Sequence, residues 1–197
     1  MIPTARVVVS LVLVIGVLSG CSTAPRSPEG KDRLVQRGAT ALKEWNTEVP
    51  GIDGFARGSY GYAVFPRIGK GGLGVGAAYG QGVVYAQGEH IGYADLSQAS
   101  LGLQAGGQAY QVLLVFGDGA ALERFKRNQL ELSPNAFAVA LTAGYVVDTQ
   151  FIDGVTVVAR PIGGLMGGVA IGGERFTFAP KGDQEPSTKA PPPAGTR

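Results

Sequence analysis

Few residues in this sequence could perform covalent chemistry. The 197 residues include one cysteine, Cys21, and one histidine, His90, which exclude an internal disulfide and a His-rich metal site. We expect Cys21 to be acylated, so no Cys–His dyad is left. A Ser–His–Asp triad would need His90, which falls in an expected hairpin loop without a Gly-x-Ser-x-Gly signature. We therefore expect a protein that is not an enzyme and that uses no metal and no cofactor.

Carboxylates are the other candidate catalytic groups. They are scattered along the chain, at Asp95, Glu123, Glu131 and Asp153. General acid–base catalysis would need two of them to face one substrate, and nothing in their spacing indicates this. An enzyme is the alternative if the fold brings two of these carboxylates into one cleft.

A glycine motif beside two basic residues is a further chemical candidate. The residues Gly69-x-Gly71-x-x-Gly74 match the dinucleotide fingerprint, but that fingerprint needs a helix next. The glycine-rich residues that follow oppose a helix, and a chain with 32 glycines produces such matches by chance. The phosphate-loop pattern fails too, because Gly71 follows Lys70 where Ser or Thr is required. Arg67 and Lys70 could instead hold a lipid headgroup phosphate, or they are simply solvated charges of a turn.

The glycines around this motif also indicate a strand with a bare face. We predict a strand at residues 62–65 that Pro66 ends, and then a basic turn at residues 67–72. In the next strand Gly72, Gly74 and Gly76 alternate with larger residues, so the period of two places these glycines on one face. Another backbone, a bulky side chain or a lipid chain must lie against that face.

Composition limits the partners of the chain. Its formal net charge is +2, which is too small to indicate a nucleic-acid partner, and no basic-aromatic stripe suits base stacking. The 32 glycines are more than twice the usual share of about 7%.

The N-terminal residues have the pattern of an export signal. Arg6 precedes an apolar run at residues 7–17 that is too short to span a bilayer comfortably. The residues that follow, Leu-Ser-Gly-Cys21, resemble the bacterial lipobox, in which the peptide is cut before the Cys and the Cys is acylated. An ordinary signal peptide followed by a free thiol is the alternative. We expect an exported, lipid-anchored protein, and Ser22 in place of Asp favours the outer membrane, facing the periplasm.

We expect one domain after this anchor. Residues 1–20 form the signal peptide, residues 21–30 the acylated Cys and tether, residues 31–179 the domain, and residues 180–197 a Pro-rich disordered tail. A helix is predicted at residues 31–46, with an apolar face that includes Leu34, Val35, Ala41, Leu42 and Trp45. That face packs on a sheet or lies on a membrane, and we favour the sheet.

Further strands are predicted along the rest of the chain. They lie at residues 83–86, 91–96, 110–116, 154–160 and 175–178, with a Gly-interrupted segment at 101–108. Residues 130–147 are ambiguous: Ser133-Pro134 could start a helix, but the alternation of apolar residues with alanines favours a strand. Residues 87–90 suit a hairpin loop, residues 49–59 an irregular segment, and Asp118 the cap of a helix that reaches Arg127. The fold class is α+β: mainly an antiparallel, glycine-rich β-sheet, curved or barrel-like, with a few short helices.

Several motifs in this order resemble the SYLF domain family, in its bacterial lipoprotein branch. They are Gly-Tyr-Ala-Val-Phe-Pro at 61–66, Gly-Lys-Gly-Gly-Leu-Gly-Val-Gly at 69–76, Gly-Tyr-Ala-Asp-Leu at 92–96, Gly-Leu-Gln-Ala-Gly-Gly-Gln at 102–108 and Leu-Glu-Arg-Phe at 122–125. The resemblance covers about residues 34–178 and implies a module that binds membrane phospholipids, and we expect anionic headgroups as its partners. Actin, a partner of eukaryotic members, is an unlikely partner for an exported lipoprotein.

The resemblance also implies candidate lipid-binding residues, because an amphipathic N-terminal segment and nearby basic residues contact lipid in this family. The positions that fit are Lys31, Arg33, Arg37, Lys43 and Trp45 in the first helix, and Arg67 and Lys70 in the glycine motif. The alternative function is an envelope structural or protein-interaction lipoprotein without a lipid site of its own.

Overall fold

The computed structural model describes residues 25, 27–130, 132 and 151–182 of the chain. In this part, three helices pack around three very long antiparallel strands. The elements are α1 (Pro28–Glu48), α2 (Ile52–Gly58), β1 (Gly61–Ala86), β2 (Glu89–Phe116), α3 (Gly119–Lys126) and β3 (Val155–Pro180). The predicted α+β class and antiparallel sheet are confirmed.

Three of the sequence predictions lie outside the described residues. They are the signal peptide with Cys21, residues 133–147 of a predicted strand, and residues 183–197 of the predicted tail.

The central strand of the sheet is β2, which pairs with β1 on one side and with β3 on the other. Among the described residues β1 and β3 do not pair with each other, so the sheet is not closed. A two-residue turn joins β1 to β2, and both of its residues, Gln87 and Gly88, have positive φ. Two positive φ values are typical of the type I′ turn that favours hairpins, so the predicted hairpin is confirmed.

The strands are longer than predicted because two prolines do not end them. Pro66 lies inside β1 at a register shift between Phe65 and Ile68. Pro161 lies inside β3 next to an extra residue of that strand, because Tyr110 pairs with Pro161 and Ala109 with Gly163. Edge strands tolerate proline because one side of their backbone makes no ladder hydrogen bonds. The predicted end of a strand at each proline is therefore wrong, and the predicted turn at residues 67–72 is strand.

The first helix begins earlier than predicted, within the expected tether. Ser27 caps it by accepting a hydrogen bond from the Gly30 N–H at 3.1 Å, and Pro28 occupies the first turn. Residues 49–59, predicted to be irregular, contain α2, in which Arg57 and Asp53 form an ion pair at 2.6 Å. A helix of seven residues is too short to show apolar periodicity, so the sequence pattern did not predict it. The ion pair, four residues apart, is a local contact that supports the helix.

The two faces of the sheet have different coverings. The outer face carries Tyr62, Val64, Leu113 and Val158, which α1 and α2 cover. The inner face holds the main core, which includes Phe65, Ile68, Val84, Leu96, Leu114, Phe116 and Phe176. The predicted buried strand at residues 110–116 supplies side chains to both faces, as expected for a central strand.

The helix α3 closes one side of this core. Asp118 caps it by accepting a hydrogen bond from the Ala121 N–H at 2.8 Å, which confirms the predicted cap. Phe125 of α3 lies 5.1 Å from the ring of Phe116 and 5.8 Å from the ring of Phe176, measured between centroids. The helix therefore packs against both the end of β2 and the second half of β3.

A sharp bend divides β1 into two halves. A Cβ placed on Gly72 would lie 2.5 Å from the Cα of Gly76, whereas residues four apart in an extended strand are separated by roughly 13 Å. Gly74, between them, has a φ of 72°, which favours glycine. The same place in β2 is bent as well, because the Gln104 side chain hydrogen-bonds to Ser100 Oγ at 2.9 Å.

Beyond the bend, the second half of β1 lies against the first. A Cβ on Gly82 would lie 2.8 Å from the Phe65 ring and 2.9 Å from the Val64 carbonyl oxygen, and one on Gly80 would lie 2.7 Å from the Arg67 carbonyl oxygen. The Gln87 N–H donates a hydrogen bond to the Tyr60 carbonyl at 3.2 Å, beside the two ends of the strand. Of the three glycines predicted to share a bare face, Gly72 and Gly76 do lie against backbone or a side chain, whereas a Cβ on Gly74 would meet no atom within 4 Å.

A side chain added where the two halves of β1 meet should destabilise the fold. We expect Gly82→Ala to lower the free energy of unfolding by about 1–3 kcal/mol, because the new methyl group would overlap Phe65 and the backbone at Val64. Denaturant unfolding measures the change. Gly69→Ala is the matched control, since a Cβ at Gly69 meets no atom within 4 Å. Equal stability of the two variants would contradict the close approach.

Candidate functional site

The candidate residue Arg67 lies at a bulge in β1. Pro66 and Arg67 together oppose Gln111 of β2, between the pairs Phe65–Val112 and Ile68–Tyr110. A bulge inserts one extra residue and redirects the neighbouring side chains. Arg67 is exposed and takes part in none of the four ion pairs among the described residues. Its charge is therefore available at the surface of the outer face.

The second basic residue of the motif, Lys70, lies on the opposite face. It follows the fully buried Ile68 by two positions, which places both on the inner face. There the charge of Lys70 lowers the pKa of Glu174, although burial has the larger effect and leaves that pKa above its ordinary value. The structure thus does not bring Arg67 and Lys70 together around one phosphate, as the sequence analysis had considered.

Glu174 belongs to a polar cluster on the inner face near the bend. The Gln98 amide donates a hydrogen bond to Glu174 Oε1 at 2.9 Å. Burial, and to a smaller extent the charge of Glu174, raises the pKa of Tyr110 to about 12. Gln104 and Ser100, both buried, are hydrogen-bonded to each other close by along β2. Polar groups therefore occupy the inner side of the sheet where it bends.

The outer side of the same bend carries exposed aliphatic side chains. We call this set the apolar ridge, and its members are Leu73 (83% exposed), Val75 (67%), Leu101 (69%), Leu103 (89%) and Leu165 (90%). The strand register joins them, since Val75 pairs with Leu101, and Leu73 and Leu165 pair with residues 105 and 107 of β2. Sequence analysis missed the ridge, although the alternation of glycines with Leu73 and Val75 was the signal for it.

The first helix places its candidate residues in two different environments. Arg33, Arg37 and Lys43 are exposed on α1 and belong to none of the ion pairs among the described residues. Lys31 lies over the ring of Tyr93, with its Nζ 5.5 Å from the ring centroid. The end of α1 lies beside the β1 bulge, because Trp45 contacts Gln111, which Arg67 opposes in β2. The start of α1 lies over Tyr93 instead.

Trp45 is not a membrane-contacting residue in this structure, and its candidacy is corrected. Its side chain is only 4% exposed, and its indole N–H donates a hydrogen bond to Gln111 Oε1. Arg160 of β3 also donates to Gln111 at 3.0 Å and pairs with Glu48 of α1 at 2.7 Å. The apolar face of α1 therefore packs on the sheet, the interpretation that the sequence analysis favoured over a membrane-bound helix.

Two of the candidate carboxylates and His90 are engaged in local contacts, and Glu131 lies outside the described residues. The carboxylate of Asp95 accepts a hydrogen bond from the Tyr79 hydroxyl at 2.8 Å, and that of Glu123 pairs with Lys126 at 2.6 Å. His90 contacts the ring of Tyr93, and burial lowers its pKa. Within the described ranges, no three acidic, Cys or His residues are grouped as a metal site would need.

A small cavity lies between α1, α2 and β1. Its volume is about 40 Å³, and Gly38, Leu42, Arg57, Tyr62 and Tyr85 contribute to its walls. This volume suits a water molecule rather than an organic ligand. Lipid acyl chains therefore do not fit inside this cavity.

Comparison with known proteins adds no further constraint. No protein-family model matches the chain, and no curated protein matches it. No helix among the described residues is both long and apolar enough to cross a membrane.

Neutralising the half-buried carboxylate should stabilise the fold. Because burial raises the pKa of Glu174 in the folded state, the ionised group opposes folding at pH 7. We expect Glu174→Gln to raise the melting temperature at pH 7 and to have little effect below pH 4, where the group is protonated in both states. Thermal unfolding at several pH values measures this.

The exposed Glu89 provides the control, since Glu89→Gln removes a charge outside the cluster. A Glu174→Gln variant that is less stable than the unsubstituted chain at pH 7 would show that the hydrogen bond with Gln98 and the charge of Lys70 outweigh the burial of the carboxylate.

Proposed function

We propose that the protein is a membrane-anchored bacterial lipoprotein whose single domain binds phospholipids and is not catalytic. The observation that carries this proposal is the outer face of the sheet, where an exposed and unpaired arginine, Arg67, lies on the same face as the exposed leucines of the apolar ridge. A guanidinium group binds phosphate oxygens, and aliphatic side chains favour a lipid environment. Anionic phospholipids offer both partners at one surface.

The sequence supports the anchor part of this proposal. The segment that ends in Leu-Ser-Gly-Cys21 resembles a lipobox, and Cys21 is the one cysteine of the chain. Acylation of Cys21 at the outer membrane would place the domain in the periplasm, a few residues from the membrane surface. The beginning of α1 at Pro28 leaves seven residues from Cys21 to Ser27 as the connection.

We also propose that the sheet is curved and that the domain is SYLF-like, with residues 31–179 as one unit. The bend at Gly74 and the contact of Gly80 and Gly82 with the first half of β1 support the curvature. The motifs at 61–66, 69–76 and 92–96, which suggested the SYLF family, lie in the strands that form this bent sheet. Phospholipid binding is what that resemblance implies.

The two basic residues of the glycine motif provide a matched pair for testing lipid binding. We expect Arg67→Gln to weaken binding to anionic vesicles about fivefold, because one basic residue near an anionic surface contributes about 1 kcal/mol. Lys70→Gln should change binding little, since Lys70 is turned toward Glu174. Co-sedimentation of residues 22–197 with anionic and zwitterionic vesicles, at low and high salt, measures both effects.

Neutral glutamine is preferable to charge reversal in this test. A carboxylate at position 70 would lie near Glu174 and would perturb the fold as well as the surface charge. If the unsubstituted chain binds neither vesicle type at low salt, the lipid-binding proposal is wrong. A protein partner in the envelope would then be the function to pursue.

The lipid anchor has its own test. We expect the chain expressed in a Gram-negative bacterium to have an intact mass that corresponds to cleavage before Cys21 plus acyl groups. Cys21→Ser should abolish the added mass and leave the uncleaved precursor, because the thiol is the site of attachment. An unsubstituted protein that lacks acyl groups and carries a free thiol would support the ordinary signal peptide instead.

A further inference from the structure

We propose that the apolar ridge enters the acyl-chain region of a phospholipid membrane, while Arg67 and Arg175 contact the headgroups around it. This inference depends on the proposed lipid binding and adds the part of the fold that penetrates and its orientation. It also moves the contact surface away from α1, where the resemblance had placed most candidate residues.

The alternation of residues along β2 is the first support. At the bend, the inward positions Ser100 and Gln104 are polar and buried, whereas the outward positions Leu101 and Leu103 are aliphatic and exposed. A sheet face that contacts water normally carries polar side chains, with the apolar residues turned inward. The reversed pattern indicates that the outer face at the bend contacts an apolar medium.

The shape of the ridge is the second support. On the inner side of the bend the glycines 72 and 76 almost touch, and a Cβ on Gly76 would lie 2.5 Å from the Gln104 side-chain nitrogen. The inner side is therefore tightly closed, which makes the outer side convex. A convex projection can enter a fluid lipid layer, whereas ligand pockets in proteins are concave.

Charge around the ridge is the third support, and it favours an anionic lipid surface. Arg67 precedes Leu73 on the outer face, and the exposed Arg175 pairs with Ser97, four residues before Leu101. Tyr79, 43% exposed, lies between the ridge and the buried carboxylate of Asp95, to which its hydroxyl donates. Basic and tyrosyl side chains next to an apolar surface are typical of the membrane–water interface.

The residue types favour lipid over a protein partner. Binding hot spots between proteins are enriched in Trp, Tyr and Arg, and Leu and Val are under-represented there. The ridge consists of four leucines and one valine. The backbone of Leu101 pairs with Val75 on one side and Ile171 on the other, and that of Leu103 pairs with Val169 of β3 on one side. Paired backbone groups are a requirement for insertion into hydrocarbon.

Vesicle binding tests the ridge directly. The sample is the mature polypeptide, residues 21–197 with Cys21→Ser, which includes every residue that the structure describes and carries no acyl chain. We expect Leu101→Gln combined with Leu103→Gln to weaken binding to phosphatidylglycerol vesicles at least about tenfold. This loss should persist at high salt, which screens the contribution of Arg67.

The control for this variant is Ile152→Gln, which replaces an exposed aliphatic residue beside Val155, at the far end of β3 from the bend. It should bind vesicles as the unsubstituted chain does. Both ridge leucines are mostly exposed, so the double variant should keep its circular dichroism spectrum and melting temperature.

A depth measurement provides a second, independent readout. The full acylated chain is placed in phosphatidylglycerol nanodiscs, with an environment-sensitive dye attached through Leu103→Cys or, as a control, Glu89→Cys. The unsubstituted chain measures any labelling of Cys21. We expect nitroxides on the lipid acyl chains to quench the dye at position 103 and not the dye at position 89.

The outcomes separate this inference from the proposed function. If the unsubstituted chain binds vesicles, the double variant binds equally well and the dye at position 103 is not quenched, the ridge proposal is overturned and lipid binding stands. If the unsubstituted chain binds no vesicles, lipid binding fails. The ridge proposal depends on lipid binding and is overturned with it. A dimer that dissociates in the double variant, without quenching by lipid, would assign the ridge to a second copy and overturn the proposal.

Discussion

The structure depends on the close contact between the two halves of β1. Gly80 and Gly82 have no side chains to separate the second half from the Phe65 ring and from the backbone at Val64 and Arg67. Only this approach buries Phe65, Val84 and Leu96 in one core, together with the residues of β3 and α3. The sharp bend at Gly74 makes the approach possible, because the strand must reverse within a few residues. Glycine is needed at both places, for a close contact in one and for a positive φ in the other.

The same constraint determines which side chains face outward at the bend. Where the inner side is filled by close glycines and by Gln104, no large apolar side chain fits there. The strands retain their period of two, so the aliphatic residues Leu73, Leu101 and Leu103 occupy the outer positions. The exposed ridge thus follows from the bend of the sheet. Its backbone is already ordered by strand hydrogen bonds, so it would lose little conformational entropy on binding. A flexible loop with the same leucines would lose much more conformational freedom on binding.

The sequence predicts the local features of the fold well. The Asp118 cap, the turn at Gln87 and Gly88, the buried segment at residues 110–116 and the bare glycine face all follow from residue types at short range. The sequence predicts strand length poorly. A proline ends a strand only where both sides of the backbone are paired, and Pro66 and Pro161 lie in strands that are paired on one side. Whether a strand is an edge strand is a property of the whole sheet. The α2 helix was missed because seven residues are too few to show a period.

The candidate site shows the same division between local and long-range information. The sequence identifies Arg67, Lys70 and Trp45 as residues suited to lipid, but their faces depend on the bulge at Pro66 and on the partner of α1. A single extra residue in β1 directs Arg67 outward and Lys70 inward. Trp45 is turned to Gln111, 66 residues away in the sequence, which no short-range pattern shows.

The placement of the cations and the ridge has a consequence for how an anchored domain would bind its membrane. If Cys21 is acylated as proposed, its acyl groups attach the domain to the membrane on the N-terminal side of α1. The exposed cations are distributed over α1 and the β1 bulge, so charge alone does not select one orientation. The ridge lies at one place, where the sheet bends, and apolar burial falls off steeply once those side chains leave the lipid. If the ridge enters lipid as proposed, its side chains determine which face of the domain contacts the membrane, and the exposed cations mainly increase the rate and strength of approach.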